Sequence, residues 1–115
     1  MEKLLQKIRK GPVFVEGKKD REALEALGVK NILTISGNLR LSCRKLKNAE
    51  RVFVLTDLDR RGDELAVKAR DELEALSVKA DLETRKLLAH TLRIRFFEEA
   101  ERAYKELIEE GEKNG

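Results

Sequence analysis

A chain of 115 residues and 13.2 kDa, 41% charged and 41% hydrophobic, carries 25 Lys and Arg against 22 Asp and Glu. This length predicts one domain spanning the whole chain, the hydrophobic share excludes the composition of a disordered chain, and no apolar run approaches the roughly 18 residues of a membrane-spanning helix. The single Cys43 excludes an internal disulfide and a Cys-rich zinc site, and the opening MEKLLQKIRK, amphipathic and without an apolar signal core, predicts a cytoplasmic protein with no membrane partner.

In chain order, Leu4, Leu5 and Ile8 predict a short N-terminal amphipathic helix. Residues 12–15 (Pro-Val-Phe-Val) form a short apolar run of the kind that makes a strand buried on both faces. Residues 19–27 place Ala23, Leu24 and Leu27 on one helical face, closed by Gly28. A second buried strand is predicted at 32–35, a short helix at 40–48 and a third buried strand at 52–55. Residues 63–76 align Leu65, Ala69, Leu73 and Leu76 on one helical face. The alternating residues 78–82 suit an edge strand with one wet face. From 95 to 112 a long amphipathic helix carries Phe97, Ala100, Tyr104, Leu107 and Ile108, to cover the sheet or the N-terminal helix, or else to form a dimer seam. Strand alternating with helix predicts an α/β domain of βαβ units with right-handed crossovers.

Charge is unevenly placed along this scheme. Residues 96–115 hold seven Glu against three Lys and Arg, a net of −4, so residues 1–95 carry +7. A polyanionic partner responds to where charge sits rather than to its total. The abundance of Glu and Lys and the scarcity of Asn and Gln also fit a heat-adapted source.

Two of the predicted strands end abruptly in acid: Val13-Phe14-Val15-Glu16-Gly17-Lys18, and Val54-Leu55-Thr56-Asp57-Leu58-Asp59-Arg60-Arg61-Gly62-Asp63. Open α/β sheets bind ligands at the carboxyl ends of their strands. With the order 2-1-3-4, the first and third strands are neighbours and Glu16 faces Asp57 and Asp59 across the crevice. Three converging carboxylates repel unless a cation lies between them, and magnesium, or manganese in its place, suits a few oxygen ligands with retained waters. Residues two apart in an extended segment point the same way, so both aspartates reach one ion. Gly17 and Gly62 allow tight turns and a close phosphate approach. The plainer alternative makes Asp59 only a helix N-cap and Glu16 only a strand-end surface residue.

These two motifs, Glu16-Gly17-Lys18 and Asp57-x-Asp59-x-x-Gly62, resemble those of a toprim domain, the fold shared by type IA and II topoisomerases, bacterial-type primases and related nucleases. The resemblance spans a core of about residues 11–82 and is strongest to small stand-alone members, among them primase-like proteins and the ribonuclease that matures 5S ribosomal RNA, whose opening Glu16-Gly17-Lys18-Lys19-Asp20 followed by Ile35-Ser36-Gly37 resembles. The resemblance implies a three-layer, Rossmann-like fold with a four-stranded parallel sheet, helices on both faces and an extra C-terminal helix. It implies phosphoryl transfer on nucleic acid, with Glu16 as general acid or base and Asp57 and Asp59 holding magnesium beside it. Arg61 stands where type IA topoisomerases carry a further Glu, which puts a second metal in doubt. Tyr104, the only tyrosine, lies on an apolar stripe, and no gate-forming domain is present, so topoisomerase activity is not expected.

Basic residues accompany the motifs. Lys18, Arg60 and Arg61 flank the acids, Arg40, Arg44, Lys45, Lys47 and Arg51 follow the second strand, and Arg85, Lys86, Arg93 and Arg95 precede the tail. With Gly17, Gly37 and Gly62 they make a candidate phosphate-binding set for RNA or DNA; the alternative for any one of them is a solvated charged face. His90 reads as a packed helix residue. Cys43 reads as a partly buried structural thiol, although Arg44 and Lys45 beside it would lower its pKa.

Three functions compete. The first is magnesium-dependent phosphodiester cleavage or primase-related nucleotidyl transfer, with cleavage favoured because 115 residues leave no room for template-handling domains. Specificity would then come from a protein or ribonucleoprotein partner. The second is a non-catalytic nucleic-acid-binding or adaptor module of the same fold. The third, a phosphoacceptor with Asp57 after the third strand, requires an acidic pair after the first strand and a lysine after a fifth; the sequence offers Glu16 alone and no fifth strand.

Overall fold

In the computed structural model, residues 1–35 and 37–114 are described, with side chains to Gly111. Ser36, part of the Ile35-Ser36-Gly37 motif, lies outside the described residues, as does the side chain of Glu112.

Helix α1 (Glu2–Arg9) leads into β1 (Val13–Val15), α2 (Lys18–Glu25), β2 (Ile32–Thr34), α3 (Leu39–Arg44), β3 (Arg51–Val54), α4 (Arg60–Ala75), β4 (Lys79–Asp81), α5 (Glu83–Leu92), a 3-10 turn (Phe97–Glu99) and α6 (Ala100–Asn114). The sheet is all parallel, in the order β2-β1-β3-β4. Val13 pairs with Ile32 on one side and Phe53 on the other, so β1 and β3 form the centre.

Side-chain alternation divides the apolar residues between two layers. Val13, Val15, Phe53 and Leu55 face one core, closed by Leu5 and Ile8 of α1, Leu24 of α2, Leu88 and Leu92 of α5, and Ala100 and Ala103 of α6. Phe14, Val52 and Val54 face the other, against Cys43 of α3 and Ala66, Ala69 and Leu73 of α4. The expected α/β architecture, sheet order and flanking helices are therefore present. Among the described residues, no helix is long and apolar enough to cross a membrane.

Several local expectations change. The second strand, expected to be buried on both faces, is an edge strand and only half-buried, because among the described residues no strand pairs with its outer side. The third helix stops at Arg44 rather than 48, and the fourth begins at Arg60 rather than 63 because Asp59 caps it. The tail helix begins at Ala100 rather than 95. The Phe97 N–H is drawn to the Asp57 carboxylate (2.9 Å) and the Arg95 carbonyl to the Leu58 N–H (2.7 Å), and these tertiary bonds hold residues 95–97 out of the helix. Ala100, Ala103, Tyr104 and Leu107 of its stripe pack against the first core, Ile108, expected on the same stripe, is exposed, and the Tyr104 hydroxyl donates to the Glu2 carboxylate of α1.

Helix α5 ends in a reversal that positions this segment. Arg93 adopts φ 60° and ψ 43°, and Ile94 N bonds back to the Ala89 carbonyl at 3.0 Å. A left-handed residue here turns the chain back over the sheet. Because an L side chain is strained there and a β-branched one more so, Arg93→Gly should be neutral or stabilising whereas Arg93→Val should destabilise; denaturant melts of the two variants check this.

Candidate active site

The two acidic motifs lie at the carboxyl ends of the central strands. After β1, Glu16 leads into Gly17, the extended N-cap of α2, whose N–H is accepted by Asp20 Oδ2 at 3.0 Å. After β3, pairing continues for one more bond, Leu55 N to the Phe14 carbonyl at 2.8 Å, so the two loops leave the sheet side by side. Glu16 Oε2 then accepts the Asp57 N–H at 2.7 Å, joining residues 41 positions apart.

The loop from Thr56 to Asp63 is fixed by polar contacts. The buried Thr56 hydroxyl donates to the Gly62 carbonyl at 2.7 Å. Asp59 Oδ1 accepts the Gly62 N–H at 2.7 Å, capping α4. Gly62 is needed for its close approach: a Cβ there would lie 1.8 Å from the Asp57 carbonyl oxygen. Beneath the loop, the Arg85 guanidinium, 2% exposed, donates Nε to the Thr56 carbonyl (2.7 Å) and Nη2 to the Asp57 carbonyl (2.6 Å). The same Nη2 meets Asp63 Oδ1 at 2.5 Å.

Negative charge is poorly compensated here. Burial pushes the Asp57 carboxyl up to about 7, the Phe97 N–H opposes this, and the nearby Asp20 and Glu16 carboxylates add to the rise. Burial also raises Asp20, helped by Glu16 and Glu98 against the opposing Gly17 N–H.

The sequence of residues 12–99 matches the Toprim domain. The chain belongs to the Toprim domain family. A UPF0292 protein of Pyrococcus furiosus is 40% identical over 91 residues, covering 76% of this chain and 69% of that protein. UPF0292 proteins of Thermococcus onnurineus (41% over 91 residues, 76% and 68% covered) and Methanocaldococcus jannaschii (35% over 89 residues, 74% and 70%) are also similar. A solved structure of an Aquifex aeolicus protein superposes with a TM-score of 0.74 at 25% identity, covering 86% of this chain and 96% of that one. Membership of the Toprim family carries a nucleic-acid-related, metal-dependent function in general.

For the Toprim metal, the donor chemistry fits. Glu16, Asp57 and Asp59 offer only carboxylate oxygens, and the raised Asp57 pKa marks a place where a cation would relieve repulsion. Among the described residues, no three His, Cys, Asp or Glu are grouped tightly enough to hold an ion by themselves. Magnesium is held by one or two carboxylates with water completing its shell, so such a group is not required.

The basic residues divide. Lys18 opens α2 beside Gly17 and reaches Glu22 at 3.9 Å; Arg60 and Arg61 open α4, exposed, with Arg60 3.3 Å from Glu64. Gly37 lies after β2 in an exposed turn with φ 67°. Arg40 and Arg44 instead stand beside the second half of α4, with Asp71 and Glu72, and Arg40 is 3.4 Å from Glu72; Lys45 is the exposed C-cap of α3. Arg85, expected among surface phosphate contacts, is buried and bonded to carbonyls. His90, expected to be packed, is exposed on α5. Cys43 is buried as a structural thiol, but burial and Glu72 push it up to about 11, opposite to the expected effect of its basic neighbours.

Sequence reasoning missed Asp20 as a buried acid and Arg85 as a clamp. Asp20 had a signal, since an acid three residues after an N-cap bonds back to it; Arg85 had none, because its partners are carbonyls 28 and 29 residues away.

Replacing Arg85 by Met should cost about 1–3 kcal/mol for each carbonyl left unpaired, and Asp63→Asn less than about 1 kcal/mol because its side chain is 64% exposed. Gly62→Ala should cost about 3 kcal/mol, the upper end for overpacking, since backbone must shift. Thermal melts rank the three. In chelator, folded Asp57 binds its proton more tightly than the unfolded chain does. Its contribution to stability is therefore present at low pH and lost as pH rises through about 7. Denaturant melts from about pH 5 to about pH 8 should show this decline, and Asp57→Asn should flatten it.

Proposed function

We propose that this Toprim protein is a magnesium-dependent phosphodiesterase acting on RNA or DNA. The observation that carries the reading is the contact of Glu16 with the Asp57 N–H at the carboxyl ends of adjacent strands, where burial and the neighbouring carboxylates raise the Asp57 pKa. Asp57 and Asp59 would hold the metal, with Glu16 beside them. When bound, magnesium supplies orientation and charge neutralisation to the phosphate. Glu16 moves a proton as general acid or base, and its bond to the Asp57 N–H fixes where its carboxylate stands. Lys18, Arg60 and Arg61 contact neighbouring phosphates without reading bases. A partner protein or ribonucleoprotein supplies the choice of substrate.

One observation favours a second reading, a binding module without catalysis. Glu16 Oε2, Asp57 Oδ1 and Asp59 Oδ1 each already accept a backbone N–H, so the fold itself uses one oxygen of every acid in the site.

Incubation with structured RNA, single-stranded DNA and duplex DNA, in magnesium or manganese and in chelator, separates the two. Cleavage should require metal and fall by about 10²–10⁴-fold in Glu16→Gln, and Asp57→Asn should abolish it. Binding without cleavage, unchanged in both variants, would establish the second reading. Magnesium should also raise the wild-type melting temperature in a concentration-dependent way, and raise that of Asp57→Asn less.

A further inference from the structure

At the amino-terminal end of the sheet, opposite the acidic crevice, a groove of about 840 Å³ runs between α1 and the starts of β3 and β4. Its lining includes Lys3, Lys7, Lys10, Arg51 and Lys79, with Glu50 as the one acid. Only Lys7 of these cations has a carboxylate partner among the described residues, Asp81 at 3.6 Å. We propose that this groove is a second nucleic-acid-binding surface that grips the phosphate backbone away from the candidate active site. The proposal rests on the reading that the protein acts on nucleic acid.

Folding stability does not account for this arrangement. Lys7 and Lys10 lie at the carboxyl end of α1, where cations complement the helix dipole, but Lys3 lies in its first turn, where the dipole opposes a cation. Arg51 and Lys79 are direct register partners on adjacent strands, and like charges placed opposite each other destabilise a sheet. An anion held between them removes that repulsion.

The spacing suits a repeating polyanion. Lys3, Lys7 and Lys10 recur at helical intervals of four and three residues, a row of about 10 Å on one face of α1, while Leu5 and Ile8 on the other face pack into the core. Arg51 and Lys79 form a second row roughly 5 Å apart across the strands. The nearest aromatic lining residue, Phe53, is only 5% exposed, so the groove offers charge without the apolar anchor that protein partners use. Such contacts bind phosphates without reading sequence.

The test is fluorescence anisotropy of labelled duplex DNA and labelled single-stranded RNA with the full chain, titrated with salt in chelator so that no cleavage occurs. Lys3→Gln with Lys10→Gln, and Arg51→Gln with Lys79→Gln, remove one row each, so that one pair can fail to fold without losing the test. Each pair should weaken binding at least about tenfold, and reduce the duplex salt slope by about 0.9 for each phosphate that is no longer neutralised. Lys68→Gln with Lys105→Gln removes the same charge from exposed positions outside the groove and should change affinity less than about twofold. Groove variants that bind like wild type, or no better separated from it than the Lys68 and Lys105 pair, overturn the groove and leave the crevice reading standing. Competition by polyglutamate as effective as by unlabelled duplex would assign the groove to an acidic protein and overturn the proposal. Wild type that binds neither nucleic acid overturns both the groove and the reading beneath it.

Discussion

The buried guanidinium of Arg85 is the contact on which the acidic loop depends. Two successive carbonyls, at Thr56 and Asp57, turn inward after β3 and need donors that no secondary structure supplies. One planar side chain meets both, as a fork of fixed geometry can. Its positive charge also sits beneath a loop that carries Asp57, Asp59 and Asp63. With those carbonyls held, the Asp57 amide points at Glu16 and Gly62 can lie against the loop backbone without a side chain between them.

The same arrangement concentrates unfavourable charge. Asp20 fixes the turn after Glu16 by bonding Gly17 N, yet it adds a third carboxylate close to Asp57. Burial and mutual repulsion raise the Asp57 carboxyl to about 7. Sites built to hold a cation or to transfer a proton store destabilisation of this kind, and the surrounding bonds to Phe97, Leu58 and Gly62 keep the loop in place despite it.

Parallel strands give the molecule two chemically distinct ends. Acids collect where β1 and β3 finish, and cations collect where β3 and β4 begin. Because every strand runs the same way, residues only a few positions apart, such as Arg51 and Asp57, are carried to opposite ends of the sheet. A cluster of basic residues in sequence is therefore dispersed: Arg40 and Arg44 face α4, while Arg51 joins the far groove.

The sequence by itself determined the alternation of strand and helix and the two acidic motifs, while the parallel order 2-1-3-4 was an expectation carried by the toprim resemblance. These depend on local signals: short β-branched runs, helical apolar faces, and acid followed by glycine at a strand end. The Asp59 cap was also legible, since its spacing to Gly62 lies within one turn. Only the tertiary structure decided what happens across long separations. It paired Glu16 with the Asp57 amide, buried Arg85 under the loop, and pulled residues 95–97 out of the tail helix through Asp57 and Leu58. It also brought α1 beside the starts of β3 and β4. One physical reason is common to the first three. A backbone carbonyl or amide carries no residue-specific mark in sequence, so a bond to one across the fold becomes visible only when the chain is folded; the charges of the groove carry their own mark, but their juxtaposition depends on how α1 packs on the sheet.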